Sequence, residues 1–374
     1  MANDKILVAM SGGVDSAVAA YLLKKQGFDV VGVTMKLYET GVGGQETSSR
    51  PLCCSPQHYR DAREVAAMLG IRHYTVNYQE DFRERVITPF VSTYLQGMTP
   101  SPCILCNSLM KFSKLRHFSQ CLGIPRMATG HYAGCHFDEA TNRHLLTRGR
   151  DGHKDQSYFL FDLEQDQLKD IVFPLGDLTK KAVRALAAEA GLPVADKEES
   201  QEICFVPDGD YARFIDQAIV DNPGDAAARP GAIVLKDGTP VGRHEGIHRF
   251  TIGQRRGLGV ALGYPAYVIG IRRDRNEVVV GRFEEILARR FFITRCNWVA
   301  VPSLEEGIEA TVKIRSRFRP APAIIRPCGN GGAEVTFHEP QPSITPGQAA
   351  VFYWEDVVVG GGWIYRVESE NGAH

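Results

Sequence analysis

Six residues near the start of the chain, Ser11-Gly12-Gly13-Val14-Asp15-Ser16, have the types and order needed to hold a phosphate. They follow an apolar run, Ile6-Leu7-Val8-Ala9-Met10, and open a helical pattern from Ala17 to Lys25. A strand, a glycine turn and a helix start together make an anion site. The glycines let backbone N–H groups curl around the phosphate, and the helix N-terminus adds its dipole. The lysine of a G-x-x-x-x-G-K-[ST] loop is missing, which argues against the β,γ-phosphate grip of kinases and GTPases. Farther along, Cys103-x-x-Cys106 and Cys204 offer thiols. The chain holds nine cysteines, an odd count that favours reactive or metal-binding thiols over a disulfide scaffold.

The elements that must position these groups alternate over the first two hundred residues. Strands are expected at Lys5–Met10, Asp29–Leu37, Arg72–Asn77 and Arg126–Thr129, and helices at Ser16–Gln26, Pro56–Leu69, Asp81–Gln96, Asn107–Cys121 and Thr179–Ala190. Strand–helix alternation implies an α/β N-terminal domain with a doubly wound parallel sheet and a site at the strand C-termini. The Gly-, Ser- and Thr-rich stretch Glu39–Leu52 reads as a mobile loop over that edge. After one short helix, Asp208–Asp221, the texture changes to short β-type runs punctuated by Gly and Pro. Ala232–Lys236, Ala266–Arg272 and Glu277–Gly281 suggest a small β-rich central domain. Arg290–Val299, Ala310–Arg319, Ala321–Pro327, Ala333–Phe337, Ala349–Tyr353 and Gly360–Val367 suggest a C-terminal β-barrel. The expected domains are 1–205, 206–285 and 286–374, with no internal repeat.

At 374 residues and 44% hydrophobic content, with no apolar run near the ~18 residues of a membrane helix, the chain reads as globular, away from the membrane. Its first strand begins at once, leaving no room for a signal or transit peptide, so the cytoplasm is the expected location. The net charge of −1 is uneven: from Arg229 to Arg326 there are 18 Lys and Arg against 9 Asp and Glu, which leaves −10 on the remainder. A basic segment in a neutral protein suits a polyanion such as nucleic acid, or is simply a solvated surface.

The loop SGGVDS resembles the pyrophosphate loop of N-type ATP pyrophosphatases. Further segments fit one family within that group, the tRNA-specific 2-thiouridylases. They are Thr99–Asn107 (TPSPCILCN), Thr129–Ala133 (TGHYA), Lys154–Leu160 (KDQSYFL), Ser200–Phe205 (SQEICF), His248–Gly259 (HRFTIGQRRGLG) and Pro346–Tyr353 (PGQAAVFY). They occur in order along the whole chain. The resemblance implies a fold like that of the adenine nucleotide alpha-hydrolases. It also implies ATP-dependent conversion of the wobble uridine of tRNAs for Lys, Glu and Gln to 2-thiouridine, with a persulfide carrier protein or sulfide as donor.

The chemistry requires activation, because uracil C2=O is a poor electrophile with a bad leaving group. Adenylation of that oxygen turns it into leaving AMP, and sulfur then attacks C2. Ser11 to Ser16 would hold the phosphates, with Mg²⁺ neutralising pyrophosphate and Asp15 as its indirect partner. The resemblance places Ala9, Met35 and Gly130 around the nucleotide; core packing is the other reading of Met35. It makes Cys204 the persulfide carrier and Cys106 its attacking partner, a pair that could rest as a disulfide where geometry allows. At Cys103 many members carry Asp, so the chain departs from that branch. Cys103, Cys106 and Cys204 are together what a [4Fe–4S] cluster with one open iron needs. The persulfide relay remains the alternative, as do structural zinc, with His131 as a weak fourth ligand, and inert thiols. Cys53-Cys54 are either auxiliary thiols or packing residues, and Cys121, Cys135, Cys296 and Cys328 read as packing residues.

For RNA, the resemblance marks His131, Lys154-Asp155-Gln156 and Gln348, with Ser101-Pro102-Cys103 under a wobble base flipped out of its stack. Arg255-Arg256 suits phosphate contacts. In Lys313-Ile314-Arg315-Ser316-Arg317-Phe318-Arg319 the cations alternate, so a strand would place Lys313, Arg315, Arg317 and Arg319 on one face, as a phosphate-tracking stripe or a solvated edge. Two other functions stay open: a different pyrophosphate-loop adenylating enzyme acting on a small molecule, and a non-catalytic tRNA-binding protein.

Overall fold

A computed structural model describes residues 4–38, 56–198, 203–206, 209–220, 229–369 and 372–373. The Glu39–Leu52 segment, Cys53-Cys54 and the first half of the SQEICF motif lie outside the described residues.

Strands β1 (Lys5–Ala9), β2 (Asp29–Lys36), β3 (Arg72–Asn77) and β4 (Arg126–Ala128) form where expected. A hairpin, β5 (Ala133–Asp138) and β6 (Arg143–Arg148), and a two-residue strand, β7 (Ile171–Val172), are additions that the sequence did not announce. The parallel sheet runs β3-β2-β1-β4-β7. Side chains alternate across it. Ile6 and Val8 pack with α1 (Val14–Lys25), α2 (Pro56–Met68) and the Lys180–Glu189 helix, while Leu7 packs on the other face with Ile104, Phe112 and Leu115. Both faces are covered, which is why β1 is almost wholly apolar. The chain leaves β1 towards β2 and β3, then returns to β4 on the opposite side. The crevice between the C-terminal ends of β1 and β4 is therefore the topological switch point.

The second helical layer is longer than its periodicity suggested. It starts at Pro102, where proline suits a first helical position, and runs through a π-helical segment, Cys106–Lys114, to Cys121. Cys103 and Cys106 thus stand three residues apart on a helix, not on a loop ahead of it.

The central sheet orders β10 (Tyr267–Arg272), β11 (Glu277–Gly281), β8 (Gly231–Val234) and β9 (Pro240–His244). The helix ahead of it, Tyr211–Val220, buries Ile215 and stacks Tyr211 on Tyr94 of the N-terminal half, 4.7 Å between centroids. The next six strands are β12 (Leu287–Trp298), β13 (Ile308–Lys313), β14 (Ala321–Cys328), β15 (Gly332–Pro342), β16 (Ala349–Trp354) and β17 (Val357–Ser369). β12 pairs with both β15 and β17, closing a barrel around Phe291, Val312, Ile325, Val335 and Phe352. The α/β, β-rich and barrel order of the sequence reading is what the chain folds into.

One expected strand is corrected. β13 ends at Lys313, and Arg315–Phe318 is a turn closed by Phe318 N–H donating to the Arg315 carbonyl at 3.0 Å. Lys313 and Ile314 are both buried, so the alternation of cations is not the two faces of a strand. Arg315, Arg317 and Arg319 are exposed on this turn and its exit.

The barrel is bound to the N-terminal half by polar contacts. Arg143 of β5–β6 donates to the carbonyls of Trp298 and Val299 at 2.8 and 2.9 Å. Tyr158 donates to the Ala349 carbonyl at 3.0 Å, and Val357 pairs with Thr147. These groups are buried or half-buried, so each partner satisfies the other where water is at least partly excluded.

Candidate active site

The phosphate loop leaves β1 at Met10. Ser16 Oγ accepts from Ser11 N–H at 3.1 Å and donates to the Gly13 carbonyl at 3.1 Å, knitting the turn internally. Gly12 adopts φ +74°, and a Cβ there would lie 2.2 Å from the His58 carbonyl of α2. Gly130, just after β4, touches the loop from the other side: its Cβ would stand 2.7 Å from the Asp15 carbonyl carbon and 2.8 Å from Ser16 N. Two glycines are therefore required by close approach of backbone to backbone. α1 begins directly behind, so its N-terminal N–H groups, which lack intrahelical partners, point into the crevice.

Asp15 is not isolated. Lys180 Nζ donates to its two oxygens at 2.7 and 2.9 Å, and the Tyr132 hydroxyl donates at 2.7 Å. Lys197 Nζ donates to the Gly12 carbonyl at 2.9 Å and to the Asp61 carboxylate.

A cavity of about 710 Å³ opens over this loop. Its floor includes Ala9, Ser11, Gly13, Val14, Asp15, Ser16, Met35 and Gly130; Gly12 stands behind, against α2. The same cavity is lined by Cys103, Cys106 and Cys204. Cys106 is buried and Cys103 exposed. Cys204 sits in a turn closed by Val206 N–H to the Ile203 carbonyl at 3.0 Å. Its neighbour Phe205 anchors that turn among Phe82, Phe90 and Phe214, with centroids 5.2 to 5.6 Å apart. Thiols about a hundred residues apart in sequence thus share one wall. Among the described residues, however, no three His, Cys, Asp or Glu side chains are grouped closely enough to hold a metal ion. The ligand set for a [4Fe–4S] cluster or zinc is not assembled in this geometry.

His131 is buried in the same cavity, and burial, then the nearby Lys111, pull its pKa well below the usual imidazole value. It is neutral. Lys111 Nζ, a donor only, lies 2.9 Å from Asn107 Oδ1 and 3.4 Å from His131 Nε2. Nε2 is therefore the acceptor, and Nδ1–H donates to Thr129 Oγ1 at 2.7 Å. A neutral imidazole between a cation and a hydroxyl is a poor zinc ligand here, because its free lone pair is already used.

The remaining residues expected to meet RNA divide in two. Pro102, Lys154, Asp155, Gln156, Ser316 and Arg317 line the cavity. Asp155 is buried, accepts from the N–H groups of Gly149 and Ser157 at 3.2 and 3.0 Å, and pairs with Lys313 of β13 at 3.9 Å. Gln156 Oε1 accepts from Tyr132 N–H at 3.0 Å. Gln348 donates from the barrel to the carbonyls of Thr99 and Pro100 at 3.1 and 2.9 Å, beside buried Ser101. Asp155 and Gln156 thus hold the cavity wall as well as edging it, and Gln348 braces the segment that leads into it. Arg255, Arg256 and Arg315 are exposed but not part of the cavity lining. Sequence reasoning missed Lys111, Tyr132, Lys180, Lys197 and Asp61. Tyr132 carried a signal as part of the TGHYA motif, and Lys180 as the second residue of an expected helix; the others carried none.

A phosphate loop at the switch point of a parallel sheet, with thiols in the same cavity and two β-rich domains following in the chain, is the plan of a nucleotide-binding α/β enzyme. Family models agree: residues 4–208 match the tRNA methyl transferase HUP domain, 223–282 the tRNA methyl transferase PRC-barrel domain and 288–364 the aminomethyltransferase beta-barrel domain. The tRNA-specific 2-thiouridylase MnmA 1 of Caldanaerobacter subterraneus subsp. tengcongensis is 47% identical over 97% of this chain and 98% of its own. The tRNA-specific 2-thiouridylases MnmA of Solibacter usitatus (47%, 97% and 100%) and Geobacter metallireducens (48%, 99% and 99%) are equally similar. The chain belongs to the tRNA-specific 2-thiouridylase family.

Proposed function

We propose that this protein is a tRNA-uridine 2-sulfurtransferase that thiolates the wobble uridine at C2, consuming ATP and releasing AMP and pyrophosphate. The observation that carries the reading is the shared cavity: one space is lined by the Ser11–Ser16 loop and by three thiols. A small-molecule adenylating enzyme would have no use for a barrel that brings Ser316 and Arg317 to the cavity, and a passive tRNA binder no use for an intact loop. We divide the chain into a catalytic part, 1–205, a central tRNA-contacting part, 206–285, and the barrel, 286–374.

The loop and the α1 N-terminus hold the phosphates in line with the uracil C2 oxygen. That oxygen attacks the α-phosphorus, the α–β bridge breaks, pyrophosphate leaves and the N3 proton passes to solvent. The residues fit Mg²⁺ at the loop through Asp15, whose oxygens already accept from Lys180 and Tyr132, so that Asp15 would hold the ion through water. Bound there, the ion supplies charge neutralisation of pyrophosphate. Ala9, Met35 and Gly130 take the adenosine end.

For sulfur we favour the relay, because the three thiols line one wall without grouping as metal ligands, and no step is routed through a cluster. Cys204 carries a persulfide received from a carrier protein's persulfide: the Cys204 thiolate attacks the outer sulfur and the carrier cysteine leaves as its thiol. Its outer sulfur attacks C2 and AMP leaves with the oxygen. Cys106 thiolate then attacks Cys204 Sγ, the C2–S bond keeps its sulfur as the thione, and a Cys106–Cys204 disulfide forms. A thiol reductant resets the pair. Cys103, beside the flipped base with Ser101 and Pro102, stands where a carboxylate would otherwise help to position it. His131, Lys154, Asp155, Gln156, Ser316 and Gln348 border the nucleotide, and Arg255, Arg256 and Arg315 take phosphates of tRNAs for Lys, Glu and Gln. No helix among the described residues is long and apolar enough to cross a membrane. We place the activity in the cytoplasm with its tRNA and ATP.

The test is anaerobic purification, iron and acid-labile sulfide analysis, and a thiolation assay scored by 2-thiouridine and AMP release. Iron-free protein that thiolates tRNA from a persulfide donor supports the relay. About four irons per chain, with activity lost on oxidation, would replace it with a cluster route. No AMP release in the presence of tRNA would remove the enzyme reading.

A further inference from the structure

Lys197 is a cation within the cavity that no motif singles out. It lies on the segment after the Lys180–Glu189 helix, with a side chain only 18% exposed, and it is paired to Asp61, 12% exposed, on α2. Its ammonium also donates to the Gly12 carbonyl at 2.9 Å. Gly12 is pressed against α2 as well, through the His58 carbonyl. The first two turns of α2 therefore reach the phosphate loop twice, once by backbone contact and once through Lys197.

The consequence lies in the peptide that follows. The described backbone contains no cis peptide bond, so the Gly12 carbonyl and the Gly13 N–H point in opposite directions. Whatever holds the carbonyl decides where that N–H is aimed. A glycine pair turns over easily, since neither residue has a side chain to prevent it. Turned over, the peptide would place a carbonyl where the α1 N-terminus needs a donor, and an oxygen facing an oxyanion is repulsive.

We infer that Lys197, oriented by Asp61, is a positioning residue for ATP: it fixes the Gly12–Gly13 peptide in the phosphate-binding sense and keeps a positive charge beside the phosphates. This rests on the ATP-consuming reading of the same loop, and deepens it by naming what sets the loop.

Calorimetric titration with ATP and Mg²⁺ tests it without turnover, followed by separate KM values for ATP and tRNA. Lys197→Met should weaken ATP binding and raise KM for ATP at least tenfold, while KM for tRNA stays within twofold. Lys197→Arg, which keeps the cation, should recover most of the loss. Where Lys197→Met lowers the melting temperature, Asp61→Asn carries the test instead. It leaves the ammonium but loosens it, and should weaken ATP binding in the same direction by a smaller factor. A purely structural anchor would lower melting temperature and leave ATP affinity of the folded protein unchanged. Unchanged ATP affinity in both Lys197→Met and Asp61→Asn, or an equal rise of KM for both substrates, overturns the inference. Wild-type protein that binds ATP but thiolates nothing would sink the function reading and leave this one standing.

Discussion

Gln348, in the C-terminal barrel, donates its side-chain amide to the carbonyls of Thr99 and Pro100 at 3.1 and 2.9 Å, 249 and 248 residues away in sequence. Thr99 N–H returns a bond to the Pro346 carbonyl at 2.9 Å, and Gly347 approaches so closely that a Cβ would lie 2.7 Å from the Thr99 carbonyl. The barrel thus grips the strand of chain that delivers Ser101, Pro102 and Cys103.

Replacing Gln348 by Leu leaves two half-buried carbonyls without donors, at a cost of about 1–3 kcal/mol. The expected outcome is at least a tenfold loss of thiolation with pyrophosphate exchange on ATP nearly intact. Loss of both activities in parallel would mean that the contact supports the whole fold and not the thiol wall.

Gly130→Ala would push a methyl into the Asp15–Ser16 peptide, with no flexible side chain to yield. Overpacking of this kind costs about 1–3 kcal/mol. ATP affinity should fall more than a hundredfold and the melting temperature by a few degrees. ATP binding within threefold of wild type would show that the loop can move aside.

Asp15→Ala and Cys204→Ser should each abolish 2-thiouridine formation while tRNA affinity stays within about twofold. Cys103→Ser separates the sulfur routes: under the relay it keeps substantial activity, because Cys103 transfers no sulfur. Nucleoside mass spectrometry and filter binding read the two quantities, and full activity of Cys204→Ser would move the sulfur elsewhere.

His131 sets a pH dependence whose sign follows from its lowered pKa. In the unfolded chain an imidazole protonates near pH ~6.5. In the folded chain it does not, so the unfolded state binds more protons below that pH. Stability is therefore full above pH ~6.5 and falls as the pH drops, at about 1.4 kcal/mol per unit for one such group. His58, His73 and His244 are lowered too, chiefly by burial, and act in the same direction. Denaturant melts from pH 8 to 5 should show the decline, with a shallower slope in His131→Asn. A flat profile would mean that the imidazole is charged in the fold.

Arg315→Ala should weaken tRNA binding and reduce the slope of log K against log salt by about one. The residue is exposed on the turn after β13, one position ahead of the cavity-lining Ser316. An unchanged affinity and slope would take that turn out of the RNA interface.

The loop, the sheet and the helix order were legible because they rest on local signals: apolar runs of strand length, a glycine turn, periodicity. The thiols were legible only as a family likeness, since nothing in the spacing of Cys106 and Cys204 says that Phe205 will be anchored beside Phe82 and Phe90 to bring them to one wall. The cation stripe failed for a physical reason. Alternation predicts a two-faced strand only if both faces have somewhere to go, and Lys313 is instead drawn inside by Asp155. Lys111, Lys180 and Lys197 went unnoticed because a lone lysine looks like solvated surface until a carboxylate or carbonyl is placed against it by the fold.

The contacts that bind β5–β6 and the Thr99 loop to the barrel set a timetable for synthesis. Arg143, Tyr158 and Thr99 leave the ribosome roughly two hundred residues ahead of the carbonyls and amide that satisfy them. At ~5–20 residues per second that is about 10–40 s of waiting with buried partners absent. The parallel sheet can form during this interval, but the thiol wall is completed only when the last barrel strands arrive. A nascent chain would therefore hold a nucleotide-shaped crevice before it holds a completed thiol wall.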